Sequence, residues 1–564
     1  MSSDASTFPL RDTPVGGARS SGARRLSGRR ADALLDTRIE VRVAVLALLV
    51  IVLCSLLVVV LAADRPSILS PTTHVGFFPR WMAGPLGGIW PGLTRNGTTL
   101  KYLFTGAIVS MYGAYLAGIA YLPRLGARWV IVVIGVVHAI FLLAPPLALT
   151  DVFNYINYGR MEVVHNLNPY TTIPILEPHN DPSYVLSNWH QLLSPYGPLF
   201  TILTFAVVPL GVAASFWALK GILALASLAT IFLVWRCARL LGRDPIAAIV
   251  LVGLNPIVLV WGLGGDHNDF LMVFFIVLGF YLMLTARGAG ATARGAGAST
   301  PAADAITPAA GATAPTAGAT TVAGGPPDVD SRAERLPASP AARLRGWLLP
   351  LSVTEIGAGG AFVTAAAIKA SGGVLIPVVL AGLVRTPRRL VQVVLGMAAA
   401  CVLMGALSLI AFGLHIPDLS TQSRLVTNVS VPNLLGLALG NGGENGSLHL
   451  VLSGVLAASV LLCCVQASRR NGRTLDRSLT ASGWASAALL VTLSWVLPWY
   501  VLWVLPLAAL SSSRRLRAAA LVLGAYLIIA WAPASGLLWN AIGFHPEKTS
   551  LGRLHQRYVT ELLH

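Results

Sequence analysis

The chain has 564 residues, of which 55% are apolar and only 11% charged, and its formal net charge is +17. Soluble domains carry roughly 25% charged residues, so this composition excludes a soluble enzyme and predicts an all-α polytopic membrane protein. In a membrane protein, Lys and Arg gather in short loops that stay in the cytoplasm. The excess of basic residues therefore indicates which loops are cytoplasmic, and no nucleic-acid partner is predicted.

Composition along the chain predicts five segments. Residues 1–40 are rich in Ser, Ala, Gly and Arg and are expected to form a disordered cytoplasmic tail. Residues 41–286 and 346–534 are expected to form an N-terminal catalytic and a C-terminal transmembrane module. Residues 287–345 have the low-complexity composition of a flexible cytoplasmic linker. Residues 535–564 are expected to form an extracytoplasmic tail.

About 13 apolar segments are predicted to cross the membrane. They are Val41–Ala63, Lys101–Leu122, Trp129–Leu149, Ala214–Trp235, Pro245–Gly264, Phe270–Ala286, Trp347–Ala367, Gly372–Leu383, Leu390–Phe412, His449–Val465, Leu479–Leu497, Tyr500–Leu510 and Leu516–Ala532. The run Pro198–Gly211 is too short to span. A second crossing there would carry Arg236, Arg239 and Arg243 outside, so Pro198–Gly211 is predicted to be an interfacial helix. The arginine-rich tail places the N-terminus in the cytoplasm.

Asp151 stands directly after the apolar segment Trp129–Leu149. A carboxylate at the boundary of a membrane helix is costly, and such groups usually have a function. The alternative is an ordinary polar helix end. With the predicted topology, Asp151 lies at the extracytoplasmic face, in an outer loop that continues to Gly197.

Polar and aromatic residues at the other outer hairpins converge on the same predicted face. They are Tyr155, Arg160, Asn168, Tyr170, His190, Tyr196, Asp266, His267, Asn268, Asp269, Lys369, Arg424, Trp499 and Tyr500. Each also has a structural interpretation. Asn168-Pro-Tyr170 is typical of a turn, Trp499 and Tyr500 of the interfacial aromatic belt, and Lys369 of a snorkelling side chain. Asp266 and Asp269 are typical helix-capping residues.

The ordered set resembles polytopic GT-C glycosyltransferases, and within them the actinobacterial polyprenol-phosphomannose-dependent α-1,6-mannosyltransferases. The resemblance is carried by Asp151, Asn168-Pro-Tyr170, Gly264-Gly-Asp-His-Asn-Asp-Phe-Leu-Met272 and Leu497-Pro-Trp-Tyr500. It implies a GT-C-like helical bundle in the plasma membrane with an extracytoplasmic active site. It also implies transfer of mannose from polyprenyl-phosphomannose to a growing α-1,6-mannan of the lipomannan type, or to a glycolipid acceptor.

This chemistry assigns roles to the candidate residues. An inverting displacement needs one carboxylate to accept the proton of the acceptor hydroxyl, and Asp151 is the candidate base. A lipid phosphate leaving group needs cations or donors, and the candidates are Lys369, Arg424, Arg160 and His267. The candidates for contact with the sugar or the acceptor are Tyr155, Asn168, Tyr170, His190, Tyr196, Asp266, Asn268, Asp269, Trp499 and Tyr500.

Several alternatives stay open from the sequence. No cofactor or metal site is assigned, although Asp266, His267 and Asp269 could hold a divalent ion as readily as a sugar. A transporter or flippase of a lipid-linked saccharide is a second functional class, but no internal repeat of the kind common in transporters is present. A lipid-linked oligosaccharide polymerase or ligase, or an enzyme that uses polyprenyl-phosphate arabinose or glucose, is a third.

Overall fold

The computed structural model describes residues 20–63, 69, 79–90, 96–147, 151–296, 351–469 and 474–563, and for 20–37, 287–296 and 474 only the backbone. Every regular element in these ranges is helical. The α-helices are α1 (Ser20–Ala62), α2 (Arg80–Ala83), α3 (Gly97–Tyr121), α4 (Ala127–Leu142), α5 (Asp151–His165), α6 (Pro182–Leu186), α7 (Pro198–Val207), α8 (Val212–Leu240), α9 (Pro245–Gly253), α10 (Asp269–Ala296), α11 (Val353–Ile368), α12 (Ile376–Leu383), α13 (Pro387–Phe412), α14 (Ser420–Ser423), α15 (Val431–Ala438), α16 (Gly446–Ser468), α17 (Thr474–Thr492), α18 (Leu505–Leu510), α19 (Arg514–Trp531), α20 (Ser535–Ala541) and α21 (Ser550–Leu563). Shorter turns are Leu122–Leu125, Pro174–Leu176, Val208–Leu210, Val258–Leu263, Ala370–Leu375, Pro498–Trp503 and Pro546–Lys548.

Only some of the thirteen predicted crossings correspond to described helices that are long enough to span a bilayer. Among the described residues, six helices are long and apolar enough to cross a bilayer, or up to seven if the bent pair α19 and α20 is one span. Other predicted crossings correspond to apolar helices of 10–17 residues, namely Ala127–Leu142, Val353–Ile368, Ala370–Leu383 and Pro498–Leu510. The count of thirteen is therefore not confirmed.

The predicted interfacial segment forms one short apolar helix, Pro198–Leu210. It packs against α5 and α11. Gly197 lies so close to α11 that a Cβ atom there would come within 2.1 Å of the Ala367 carbonyl oxygen. The bounds of the helix agree with the sequence analysis, and its position along the membrane surface stays a prediction.

Two interrupted helices meet in the interior of the protein. Helix α9 ends at Gly253, and the Asn255 side chain then accepts hydrogen bonds from the backbone N–H groups of Ile257 and Val258. This contact starts the π-helical turn Val258–Leu263, which is buried and packs against the turn Pro498–Trp503. Irregular backbone at membrane depth is tolerated where protein buries it or where it lines a cavity.

The segments expected to be irregular are partly helical. The predicted loop after Asp151 begins with helix α5, and the predicted tail 535–564 contains α20 and α21. In helix α21, the Leu562 carbonyl accepts a hydrogen bond from the Gln191 backbone N–H at 3.0 Å. Leu562 also packs with Leu192 and Leu425. This C-terminal segment therefore packs back against the loop between α5 and α7.

Two of the predicted segments, the tail 1–40 and the linker 287–345, lie partly outside the described residues. Helix α1 begins at Ser20, inside the predicted tail 1–40, and α10 continues to Ala296, inside the predicted linker 287–345. Residues 1–19 of the predicted tail and residues 297–345 of the predicted linker are not described. Helix α10 packs against α11, so the two predicted transmembrane modules are in direct contact.

Candidate active site

A cavity of about 510 Å³ lies where the first turn of α5 meets the chain around Lys369 and the turn Pro498–Trp503. We call it the Asp151 cavity. The residues with polar or aromatic groups on its wall are Asp151, Tyr155, Tyr158, Asn188, Trp189, Tyr196, Lys369, Ser371, Gln422, Ser423, Trp495, Trp499, Tyr500, Trp503 and Trp531. Five of these were predicted site residues from four separate regions of the sequence, and a sixth, Asp151, was the predicted base.

Asp151 is the first residue of α5, and its side chain is 16% exposed. The free N–H groups at a helix N-terminus favour a negative charge there. Its Oδ2 lies 3.4 Å from Nδ1 of His267, although the two groups do not form a hydrogen bond. The carboxylate therefore combines access to the cavity with an imidazole neighbour.

His267 is held by ring stacking. Its imidazole lies parallel to the Trp499 ring, with a centroid separation of 3.4 Å and an interplanar angle of 8°. Both ring nitrogens are buried without a hydrogen-bond partner among the described residues. A buried polar group without a partner costs about 1–3 kcal/mol, so His267, which is not part of the cavity wall, has hydrogen-bonding capacity to offer to Asp151.

The hairpin that carries His267 needs a special backbone. Asp266 has φ +59°, in the left-handed region that Asp and Asn tolerate better than most residues. A Cβ atom on Gly265 would lie 2.3 Å from the Trp261 carbonyl oxygen. These two positions let the chain reverse in a small space and place His267 beside Asp151.

A buried ion pair anchors the same hairpin. Lys220 Nζ lies 3.2 Å from Asp266 Oδ1, and both side chains are about 2% exposed or less. Lys220 also lies over the Phe216 and Trp217 rings. The sequence analysis did not identify Lys220, although a single lysine inside the apolar run Phe216-Trp-Ala-Leu-Lys-Gly-Ile-Leu223 was a usable signal.

Lys369 and Asp269 form the second charged pair of the site. Lys369 Nζ donates to Asp269 Oδ2 at 2.8 Å, and the Trp503 indole N–H donates to Asp269 Oδ1 at 2.5 Å. The Lys369 side chain is 20% exposed, whereas that of Asp269 is 1% exposed. Lys369 also lies 4.8 Å from the Tyr500 ring centroid. The lysine is thus the partner that faces the cavity.

An aromatic cluster supports the floor of the cavity. Tyr155 contacts Tyr196 and Phe200 edge to face, at centroid distances of 4.7 and 4.8 Å. The Tyr155 hydroxyl accepts a long hydrogen bond, 3.4 Å, from the Asn268 backbone N–H. The Asn268 side chain is fully buried, and its amide atoms have no partner among the described residues. Tyr155 therefore connects α5 to the His267 hairpin.

Three predicted sugar-binding residues make structural contacts away from the cavity wall. The Asn168 amide donates to the Phe412 carbonyl and accepts from the Tyr170 N–H, which is turn chemistry. The Tyr170 hydroxyl donates to the Tyr196 carbonyl. The His190 ring stacks on Tyr184 at 4.1 Å. These residues shape the loop between α5 and α7.

The two arginines predicted to bind phosphate are not on the cavity wall. Arg160 makes a bidentate pair with Asp181, in which its Nη2 lies 2.8 Å from Oδ2. Burial alone would raise the Asp181 pKa, but hydrogen bonds from Arg160, Ser183 and His165 hold that pKa well below its ordinary value. Arg424 is exposed and lies between Ser423 and Leu425, which do line the cavity.

The three residues considered for a divalent ion do not converge. Asp266 faces Lys220, Asp269 faces Lys369 and Trp503, and His267 stacks on Trp499. Within the described ranges, no group of three or more His, Cys, Asp or Glu side chains is arranged to hold a metal ion. Lysine partners neutralise the two flanking carboxylates instead.

Cavity residues that the sequence analysis missed come from places without a motif. Trp503 donates to Asp269 from one turn beyond Leu497-Pro-Trp-Tyr500, and its helical spacing from Trp499 was a usable signal. Gln422 and Val559 reach the wall from a loop and from the C-terminal segment. Nothing in the local sequence distinguishes these two from surface residues.

Comparison with protein families gives two matches. Residues 67–323 match the model described as "Alpha-(1->6)-mannopyranosyltransferase, N-terminal domain". Residues 428–544 match the model described as "MptB C-terminal domain". Together the matches cover about two thirds of the chain, including Asp151, the His267 hairpin and Tyr500.

Curated relatives agree with these matches. The chain is 32% identical over 153 residues to alpha-(1->6)-mannopyranosyltransferase A of Corynebacterium glutamicum, which covers 26% of this chain and 30% of that protein. It is 33% identical over 152 residues to the Mycobacterium tuberculosis protein of the same name, covering 26% and 29% of the two chains. Another M. tuberculosis alpha-(1->6)-mannopyranosyltransferase is 26% identical over 403 residues, which is 68% of this chain and 65% of that protein.

The alignments thus span less than two thirds of the length of each of these relatives. No solved structure significantly matches the chain.

Proposed function

We propose that the chain is an alpha-(1->6)-mannopyranosyltransferase, which its two family-model matches support, and that it transfers mannose from polyprenyl-phosphomannose to the growing end of an α-1,6-mannan. The relatives are named for mannosyl transfer. The proposal also covers the donor, the lipomannan-type acceptor and the catalytic residues. The geometry of the Asp151 cavity supports these assignments.

The observation that carries the proposal is the pairing of charges on the wall of the Asp151 cavity. An accessible carboxylate, Asp151, and an accessible ammonium group, Lys369, share one cavity with several aromatic rings. Inverting transfer from a lipid phosphate requires a base for the acceptor and a cation for the leaving group. Asp151 and Lys369 are the candidates for these two functions.

The reaction follows from these two groups. The acceptor hydroxyl oxygen attacks the anomeric carbon of the donor mannose, and the bond from that carbon to the phosphate oxygen breaks. The electron pair of the broken bond leaves with the polyprenyl phosphate, while the hydroxyl proton passes to an Asp151 carboxylate oxygen. One displacement inverts the configuration, so a β-linked donor gives an α-linked product.

His267 and the Lys220–Asp266 pair act through Asp151. The imidazole lies 3.4 Å from the carboxylate and is immobilised by the Trp499 ring. The buried ion pair fixes the hairpin that carries it. These residues position the base, since the productive orientation of a general base must be held within hydrogen-bond reach of the hydroxyl.

Lys369 has the geometry to meet the leaving phosphate. The Lys369 ammonium group donates to Asp269, whose carboxylate also accepts a hydrogen bond from Trp503. The ammonium group is partly exposed and faces the cavity. A preorganised cation at a developing negative charge contributes most in a site with little water. Arg160 is not carried into this proposal, because Asp181 already holds its guanidinium group.

Substituting Lys369 should separate donor use from acceptor use. We expect Lys369→Ala to raise the KM for polyprenyl-phosphomannose by tenfold or more, with a smaller effect on the KM for a mannoside acceptor, because the phosphate loses its cation. The same variant leaves Asp269 buried without its partner, so Lys369→Arg is the matched control and should retain part of the donor affinity. Equal losses for donor and acceptor would reduce Lys369 to a structural role. Both KM values are measured with labelled donor and a short mannoside.

We further propose that the cytoplasmic side of the protein is the end that carries the arginine-rich connectors. Arg243, just after α8, pairs with Asp476, which also accepts hydrogen bonds from Ser512. Lys220 near the start of α8 contacts the site hairpin. From Lys220 to the end of α8 at Leu240 the helix extends about 30 Å at 1.5 Å per residue. This length matches the roughly 30 Å hydrocarbon core of a bilayer.

Cysteine labelling tests this orientation. In a variant without the native cysteines, a cysteine at the exposed position Asn180, near the site loop, should react with an impermeant thiol reagent added to intact cells. A cysteine at the exposed position Arg385 should react only after the cells are opened, because basic connectors face the cytoplasm. The opposite labelling pattern would place the Asp151 cavity at the cytoplasmic face and contradict a flipped lipid-linked donor.

A further inference from the structure

A second cavity of about 560 Å³ adjoins the Asp151 cavity. We call it the Trp539 chamber. Its wall is built from residues 426–429, the chain from Ala530 to Asn540, and helix α21. Trp495, Trp531 and Val559 line both cavities. The two spaces therefore share one wall.

The chamber exists because the C-terminal helices bend. Pro533 lacks a backbone N–H and interrupts the helix, and α20 turns by 81° from the axis of α19. The bend places Trp539 beside Phe544, with ring centroids 5.2 Å apart. Aromatic faces of this kind suit the apolar face of a sugar ring.

Unused hydrogen-bond donors face the same region. The indole nitrogens of Trp531 and Trp539 are buried and have no hydrogen-bond partner among the described residues. At the wall of the neighbouring cavity, both amide atoms of Gln422 are also without a partner. Buried polar groups are usually hydrogen-bonded. The three N–H donors and the Gln422 carbonyl oxygen therefore indicate a ligand with hydroxyl groups, which both accept and donate hydrogen bonds.

The charge of the chamber favours a neutral ligand over a phosphate. Among the described residues that line it there is no Lys or Arg, while Glu547 contributes a carboxylate. The Asp151 cavity, by contrast, contains Lys369. His555 also lines the chamber, and burial lowers its pKa, which favours the neutral imidazole. Asn428, Asn540 and Gln556 add uncharged hydrogen-bonding groups to the aromatic rings. A volume of this size is in the range of roughly 300–1,000 Å³ for small-molecule sites.

We infer that the Trp539 chamber binds neutral sugar units of the acceptor chain that precede the reacting hydroxyl, as a subsite distinct from the Asp151 cavity. The inference rests on the proposed function for the identity of the sugar. The donor phosphate then lies at Lys369, and the acceptor passes the shared wall at Trp495 and Trp531. The enzyme should use longer acceptors better than a single mannoside.

The test compares acceptor lengths in the full-length protein in nanodiscs. With α-1,6-mannotriose as acceptor, Trp539→Ala should raise KM about tenfold, the size expected for losing one hydrogen bond and an aromatic contact. The KM for methyl α-mannoside should rise much less. Trp129→Ala is the matched control, because Trp129 is 55% exposed and distant in sequence from the chamber. Equal KM changes for the two acceptors, or no change for the trisaccharide, would overturn the subsite.

Direct binding separates this inference from the proposed function. Saturation-transfer NMR should detect mannotriose on the wild-type protein, with weaker binding in Trp539→Ala and in the milder variants Asn540→Ala and Gln556→Ala, which change exposed residues. This readout needs no donor and no turnover. If mannotriose binds as well to all three variants as to the wild type, the chamber is not the subsite. If the wild type binds mannotriose but transfers nothing from any donor, the proposed function fails while the chamber stands.

Discussion

Replacing Asp151 with asparagine should reduce kcat by roughly a hundredfold or more, in the range expected when a general base is lost. Asparagine keeps the size and the hydrogen-bonding capacity of the side chain at the first turn of α5 but cannot accept the acceptor proton. The fold and the KM for donor should change little, because the Asp151 side chain lies on the cavity wall and forms no hydrogen bond with His267.

The matched control is Asp418→Asn, which removes a carboxylate from an exposed loop and should leave kcat unchanged. Initial rates with saturating donor and acceptor measure both variants. Turnover of Asp151→Asn close to the wild-type value would move the base to another residue. Asp269 is a poor substitute, because Lys369 and Trp503 already occupy its oxygens and its side chain is 1% exposed.

Replacing Lys220 with methionine should destabilise the protein by about 3–5 kcal/mol, the cost of leaving a buried charge without its partner. The Asp266 carboxylate would stay at 1% exposure with no cation beside it. The hairpin would then shift, and activity should fall along with stability because the same hairpin carries His267.

The double variant Lys220→Met with Asp266→Asn should recover most of the stability. It removes both charges, and asparagine tolerates the left-handed φ of +59°. Lys101→Met, at an exposed position on α3, is the control and should change stability by less than about 0.5 kcal/mol. Thermal melting in detergent measures all three. A single variant as stable as the wild type, or a double variant as unstable as the single one, would contradict an ion pair that holds the hairpin.

The sequence was sufficient to predict the class of fold and the family, and it located the central residues of the cavity. Apolar runs are a strong signal because the bilayer sets their length, so an all-helical membrane protein followed directly. The family resemblance is confirmed by the two matching models. Asp151, Lys369, Trp499 and Tyr500 line the cavity together, because each stands where an apolar segment is interrupted.

Other features depend on contacts between distant segments and have no local signal. The sequence predicts that Arg160 binds phosphate, but in the structure Arg160 pairs with Asp181, 21 residues further along the chain. The number of crossings could not be predicted, because short helices broken by Pro and Gly can end inside the protein. The segment 535–564 reads as a tail, yet α21 packs back on Leu192 and Leu425. Lys220 has a local signal in the sequence, but its pairing with Asp266, which lies 46 residues away, has none.

The transfer reaction itself is the most direct test of the account. Purified protein in nanodiscs is given labelled polyprenyl-phosphomannose and α-1,6-mannotriose without any nucleotide, and the product is analysed for length and linkage. We expect a mannotetraose with a new α-1,6 bond, formed by the wild type and about a hundredfold more slowly by Asp151→Asn. Transfer from GDP-mannose in the absence of any polyprenyl phosphate, or a wild-type protein that moves the lipid-linked sugar across the membrane without forming a glycosidic bond, would contradict the account.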